Sequence, residues 1–366
     1  MGGLTRRRFL ASGMAVAPLA ASTKGTGFPT ETQKYADPLT ELDVFRLTDP
    51  AHSSWLPAYY NRSIARNSAW MLYACDRDGA LQAFRIDLKT GQEKLLTQAA
   101  DLDPSSLTLT PDNRSFCYFA GRSLFIASVS SLHERELYKV PAGWERCPGM
   151  SVGPDGTHVT FGERNGSGSR LRMVSLAQGV PRTVMESKEV LADPIPRPMR
   201  AQILYRTGDD SLFLVNMDGQ QNRELKLSDG RVGPANWAPD GKTILYLNFP
   251  SDPKQLNNIR ELTPDTNADK LVAKTSQFVH FGFNRDASVF AGASRNAASP
   301  ALLLLLRVTR REFTLCEHKA SKPEMVAPVF SPDSQRVYFQ SDRHGKPAIY
   351  CMHVEKLVEK TAAEEG

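Results

Sequence analysis

The sequence predicts an all-β chain, a seven-bladed β-propeller with an N-terminal strand closing the last blade, on three observations. One turn phrase returns seven times at intervals of about 45 residues. Each copy is followed by a run rich in β-branched and aromatic residues and then by a second hairpin, which gives four short strands per repeat. The last repeat has only three strands, and a stretch with the form of an outermost strand precedes the first.

The phrase is an apolar or aromatic residue followed by Pro-Asp-Gly or a variant. It is plain at Leu109 to Asn113, Val152 to Gly156, Trp237 to Gly241 and Phe330 to Ser334. Weaker copies stand at Ile64 to Ser68 and Phe283 to Ala287, and a nearly erased one at Pro196 to Met199. Proline presets φ for the first turn position, aspartate caps the turn with its side chain, and glycine or asparagine accepts the left-handed conformation that closes it. The second hairpin is clear where Ala83 to Gly91 leads to Lys94-Leu95-Leu96, and where Phe213 to Gly219 leads to Glu224 to Leu227.

The missing fourth strand of the last unit is supplied by Phe45 to Thr48, which hides an otherwise open sheet edge. The organisation expected is residues 1–22 a signal segment, 23–43 a linker, 44–354 the propeller and 355–366 a C-terminal tail, with one helical turn at Glu355 to Lys360. The signal is of the twin-arginine type: Thr5-Arg6-Arg7-Arg8-Phe9-Leu10 precedes a short, weakly apolar run broken by Gly13 and Pro18 and ending in small residues. That run is too short to span a membrane. A periplasmic or secreted location is the expectation.

At 366 residues and 41% apolar, the composition is that of an ordinary globular protein. Removing the signal takes three arginines and no acids from a formal net charge of +5, which leaves +2. The remaining basic residues are dispersed, so a nucleic-acid footprint is not expected. The five cysteines have no metal-type spacing and are odd in number, and Cys75, Cys117 and Cys351 sit in apolar strand segments as packing residues.

In a propeller the residues just before each innermost strand crowd the channel mouth. These segments offer Arg62, Arg146, Arg197 and His280, the aromatic residues Trp55, Tyr59, Tyr60 and Trp144, and the polar Asn236. Guanidinium groups beside aromatic faces suit an acidic sugar, through bidentate carboxylate bonds and stacking. Each taken singly also fits a solvated rim arginine or a core aromatic, and only their convergence points to a site. No Gly-x-Ser-x-Gly, no His-Glu-x-x-His and no phosphate-cradling glycines are present. His318, His344 and His353, on turns or outer strands, read as surface or packing residues.

Several segments resemble the oligogalacturonate lyases, seven-bladed enzymes that split short pectin fragments. The strongest is Ser341 to Tyr350, supported by Val140 to Trp144, Pro194 to Pro198, Trp237 to Gly241 and Val279-His280-Phe281. The resemblance implies β-elimination on an acidic (uronate) oligosaccharide in pectin degradation, a carbon–oxygen lyase reaction. In that family a divalent metal such as manganese, held by three histidines and a glutamine, binds the uronate carboxylate while a separate histidine takes the proton.

Carried over residue by residue, His280 matches one ligand, whereas the family's Gln-x-x-His-x-His falls on Lys322, Met325 and Ala327. The proton-abstracting histidine falls opposite Pro234, and an arginine of the family's fourth blade falls near Ser211. No metal or other cofactor is therefore expected, because one histidine cannot hold a divalent ion. His280 is left as the catalytic candidate, with Arg62, Tyr59, Arg146, Arg197 and Asn236 to bind substrate. The alternatives are a sugar-binding propeller that lost the chemistry, and a protein-interaction propeller like the Tol-associated ones, whose repeats share the Pro-Asp turn and whose partner would be a protein.

Overall fold

The computed structural model describes residues 23–208 and 210–357, so the twin-arginine segment lies outside the described residues. Seven antiparallel sheets follow one another along the chain as the blades of a propeller. All seven expected turns are present, and each contains a residue with positive φ: Ser68, Asn113, Gly156, Met199, Gly241, Ala287 and Ser334. The acidic residue does what its chemistry predicts. Asp112, Asp155, Asp240, Asp286 and Asp333 each accept a bond from the backbone N–H two residues on, at 2.9–3.1 Å.

Ring closure is as expected: Val44, Phe45 and Arg46 pair with Met352, Cys351 and Tyr350. Residues 23–43 are not a bare linker. Gly27–Phe28 adds a fifth strand outside blade 1, pairing with Glu93 and Lys94, and Gln33–Ala36 adds a fifth strand outside blade 7, pairing with Asp43–Arg46. Arg77 helps to hold this segment, bonded to Glu31 and, at 2.8 Å, to the buried Glu93. The final helical turn begins at Glu355, and its remainder lies outside the described residues.

The core is layered between blades. Val289, Leu302 and Leu304 of blade 6 pack on Val337, Phe339 and Tyr350 of blade 7, and comparable clusters fill the other interfaces. The five cysteines are buried and unpaired, as their apolar settings suggest. His318 is fully buried, its ring Nε2 3.0 Å from the Ser294 carbonyl, and His344 Nδ1 lies 2.9 Å from the Tyr350 hydroxyl; both pack against structure.

One irregularity recurs and positions the site. The inner strands of blades 3 to 6 change register near their N-terminal ends, between Arg146 and Met150, Ala192 and Ile195, Val232 and Ala235, and Phe278 and His280. In blades 1, 2 and 7 the inner strand is shortened to Ser54–Trp55, Thr108–Leu109 and Val329–Phe330. A bulge re-aims the side chains around it. Ahead of each inner strand's hairpin turn, the backbone is therefore free to turn polar groups toward the axis.

Candidate functional site

The segment Leu56 to Ser63 leaves the sheet of blade 1 and crosses the channel, and its contacts reach five other blades. The Leu56 N–H donates to Gln340 Oε1 of blade 7 at 2.5 Å, and the Ala58 N–H to the Ser105 carbonyl of blade 2 at 3.2 Å. The Tyr60 hydroxyl donates to Asp193 Oδ1 of blade 4 at 2.7 Å. Tyr59 reaches blade 5, where its hydroxyl donates to the Ala235 carbonyl and accepts from the Ala235 N–H, both at 2.9 Å. Its ring meets His280 of blade 6 edge to face, with centroids 4.9 Å apart.

Around this bridge stand charged groups. Arg206, on the second strand of blade 4, donates to the carbonyls of Val232 at 2.9 Å and Gly233 at 2.6 Å, and its Nε lies 4.0 Å from Asp193 Oδ2. Burial raises the Asp193 carboxyl, opposed by its bond from Tyr60 and by the Arg206 charge. Burial, and then the Asp193 charge, push the Tyr60 phenol well above its usual value. Tyr60 therefore keeps its proton and is a fixed hydrogen-bond donor to Asp193. Gly149, with φ +83°, leaves room for this pair: a Cβ there would stand 2.5 Å from the Tyr60 hydroxyl and 2.6 Å from Asp193 Oδ1.

Arg146 is bonded to Asp103, whose charge also acts on Tyr60, and its guanidinium lies 4.6 Å from the Phe119 ring centroid. Arg62 is half-buried in the inner edge of blade 1, with burial and the neighbouring Arg66 both lowering its pKa. Asn236 and Tyr59 line a small cavity of about 150 Å³, walled by Phe281, Phe283 and Phe330. His280 is buried, which lowers its pKa to about 4 against smaller opposing effects of the Phe281 backbone and Glu324.

The fold thus gathers Tyr59, Arg146, Asn236 and His280 about the channel, with Arg62 beside them. It does not bring Arg197 there. Arg197 follows the end of its inner strand, at the hairpin turn, only 1% exposed. Its Nε donates to the Gly241 carbonyl at 2.7 Å, Nη1 donates to Gln202 at 2.7 Å, and the fork pairs with Asp265 at 3.1 and 3.2 Å. The guanidinium also stacks on Trp237 at 4.8 Å. Arg197 clamps blade 4 to blade 5, and the substrate-binding role expected for it is corrected on that ground: every face of its fork is spent on protein.

Asp193 and Arg206 were missed. Asp193 lies in a segment that the sequence marks as lining the mouth, and Arg206 interrupts an otherwise apolar strand, Ile203-Leu204-Tyr205, which was the available signal.

Three of the expected residues share one property. Arg62 Nη1, Arg146 Nη1 and His280 Nδ1 are buried and find no hydrogen-bond partner in the described protein. Buried polar atoms of this kind are satisfied by water or by a ligand atom.

Comparison with known proteins finds the following similarities. A family model described as oligogalacturonate lyase matches residues 22–163. The oligogalacturonide lyase of Pectobacterium atrosepticum is 23% identical over 90% of this chain and 98% of its own, and the oligogalacturonate lyase of Dickeya dadantii 22% over the same shares. The chain is thus similar to the oligogalacturonate lyases over most of its length. A solved oligogalacturonate lyase in complex with manganese superposes with a TM-score of 0.87 at 23% identity, covering 92% of this chain and all of that one, and so shares the seven-bladed fold.

That solved structure holds manganese, and of the ligands that the resemblance implies His280 alone has a counterpart in this sequence. Among the described residues no group of three or more histidine, cysteine, aspartate or glutamate side chains could hold a metal ion. His280 is packed against the Tyr59 ring, and the nearby Glu324 is paired with Arg295 at 2.8 Å. At the positions that the resemblance sets opposite the family's ligands, Lys322 and Met325 carry an ammonium and a thioether and Ala327 a methyl group, none of which suits a hard divalent ion.

Proposed function

We propose that this chain is an oligogalacturonate lyase-like protein that takes a short uronate oligosaccharide at its channel mouth. The observation that carries the reading is the set of unpartnered buried nitrogens on Arg62, Arg146 and His280, beside the Tyr59–Tyr60 bridge. Arg146, already oriented by Asp103, presents a second guanidinium nitrogen to a carboxylate, and a charge-assisted bond of this kind contributes about 1.5–3 kcal/mol. Arg206 and Asp193 hold the bridge rather than the sugar, since Arg206 is bonded to two backbone carbonyls.

The reaction proposed is β-elimination. A base takes the proton on the carbon next to the uronate carboxylate, the electron pair forms the C4–C5 double bond, the C4–O bond breaks, and the departing oxygen gains a proton. His280 is the base available from the expected set. Its low pKa keeps it neutral at pH 7 and makes it a weak acceptor, and a uronate carboxylate beside it would raise its basicity. We propose further that the reaction uses no tightly held metal, and that the protein is exported to the periplasm or beyond by its twin-arginine segment.

The same low pKa, and the Tyr59 ring over His280, favour a second reading in which the pocket binds uronates without turning them over. One experiment tests both: the purified protein is incubated with oligogalacturonate while ultraviolet absorbance follows the unsaturated product, and a parallel calorimetric titration measures binding. Product supports the lyase, saturable binding alone supports the binding protein, and the absence of both overturns the proposal.

A further inference from the structure

Beside the channel mouth, blade 3 carries a cleft of about 600 Å³ that the channel site does not use. Its walls are Arg122, Trp144, Glu145, Arg164 and Lys188, with the hairpin turn 165–168 across the end. Three cations face one acid, so the cleft is positive. Arg122 is committed to the carbonyls of Val140 and Pro141, and Glu145 pairs with Arg164 at 3.2 Å with both side chains about half exposed or more. Exposed pairs of this kind are weak and exchange readily with another carboxylate.

One face of the Trp144 ring is covered by Arg170, which leaves the other face to the cleft. The Arg170 guanidinium lies 3.8 Å from the ring centroid and is anchored at 2.7 Å to Glu163, which is fully buried. The rim is left low, since a Cβ on Gly143 or on Gly166 would meet nothing within 4 Å. A rigid indole, mobile cationic side chains and an open rim are the parts of a site for a sugar chain bearing carboxylates.

The cleft adjoins the mouth along the chain: Glu145 lines the cleft, and the next residue, Arg146, is joined to Asp103. We infer that this cleft is a second subsite for the acidic oligosaccharide, in which Trp144 packs on a sugar ring while Arg164 and Lys188 pair with carboxylates beyond the one at the mouth. The inference rests on the uronate reading of the channel site.

The test is a calorimetric titration of the exported chain with galacturonate dimer and hexamer. The wild type should bind the hexamer about tenfold or more tightly than the dimer, the scale set by one or two added charge-assisted contacts. The double variant Arg164→Ala/Lys188→Ala alters only exposed side chains and should retain dimer affinity and melting temperature while losing the hexamer advantage. Trp144→Ala should reduce the same advantage. Equal affinity for dimer and hexamer in the wild type, or a double variant that keeps the advantage, overturns the subsite and leaves the channel reading standing. Failure of the wild type to bind either oligomer overturns both.

Discussion

Replacing Arg197 by alanine should destabilise the fold and leave ligand binding unchanged. The side chain is buried and makes charge-assisted bonds to the Gly241 carbonyl, to Gln202 and to Asp265. Water can re-solvate Asp265, whose side chain is 40% exposed, but it reaches the buried partners poorly. Breaking a buried, hydrogen-bonded ion pair costs about 3–5 kcal/mol, and the exposure of Asp265 places this one near the lower end. For a propeller of this length, the usual unfolding entropy per residue converts about 3 kcal/mol into a fall of about 4–5 °C in melting temperature. Arg197→Lys should recover only part, because an ammonium cannot make the fork to Asp265. The bond from Arg197 is also the chief cause that holds Asp265 below the usual carboxylate range, so the gap between wild type and variant should narrow as pH falls through that range. Thermal unfolding followed by circular dichroism, with a uronate titration beside it, decides the matter. An unchanged melting temperature with lost affinity would show that Arg197 faces the ligand, and would refute the argument.

Three other outcomes are expected. Burial raises Glu93 to about 7, with the Arg77 charge opposing, so the folded state holds a proton that the unfolded chain releases near pH 4.5. Stability due to this group is then lost as pH rises between those values, by up to about 3 kcal/mol, and Glu93→Gln should gain on the wild type across that window in melting curves. Tyr60→Phe removes the donor to Asp193 and should cost about 1–3 kcal/mol of stability, with Gly149→Ala disturbing the same pair; wild-type melting in either variant would contradict the assignment. Elemental analysis of dialysed protein should find no stoichiometric divalent metal, and about one ion per chain would restore a metal-dependent site.

The fold was legible because each blade announces itself locally. Asp112, Asp155, Asp240 and Asp333 each cap a turn that can be read from three consecutive residues, and the three-stranded last unit demands a partner for Tyr350 to His353. Residues 27–28 and 33–36 were not legible as strands, since such short, mostly exposed segments carry no alternation of apolar and polar side chains. The site was legible only as a set of segments. A bulge shifts which side chains face the axis, and a one-residue slip sends a side chain to the opposite face, so sequence position near an inner strand did not separate His280 from Arg197. The crossing of Tyr59 and Tyr60 to blades 5 and 4 depends on long-range contacts that local pattern does not encode, and Asp193 and Arg206 become visible only with them.

The central claim is that the channel mouth, through Arg146 and its neighbours, binds uronate carboxylates. Its most direct test is a calorimetric titration of wild type and Arg146→Ala with galacturonate trimer, with a neutral glucose trimer as control. The expected result is saturable binding of the uronate to the wild type, roughly tenfold or more weaker in a variant whose folding is checked by circular dichroism, and no binding of the neutral sugar. Equal affinity for the two sugars, or a variant that binds the uronate as well as the wild type does, would contradict it.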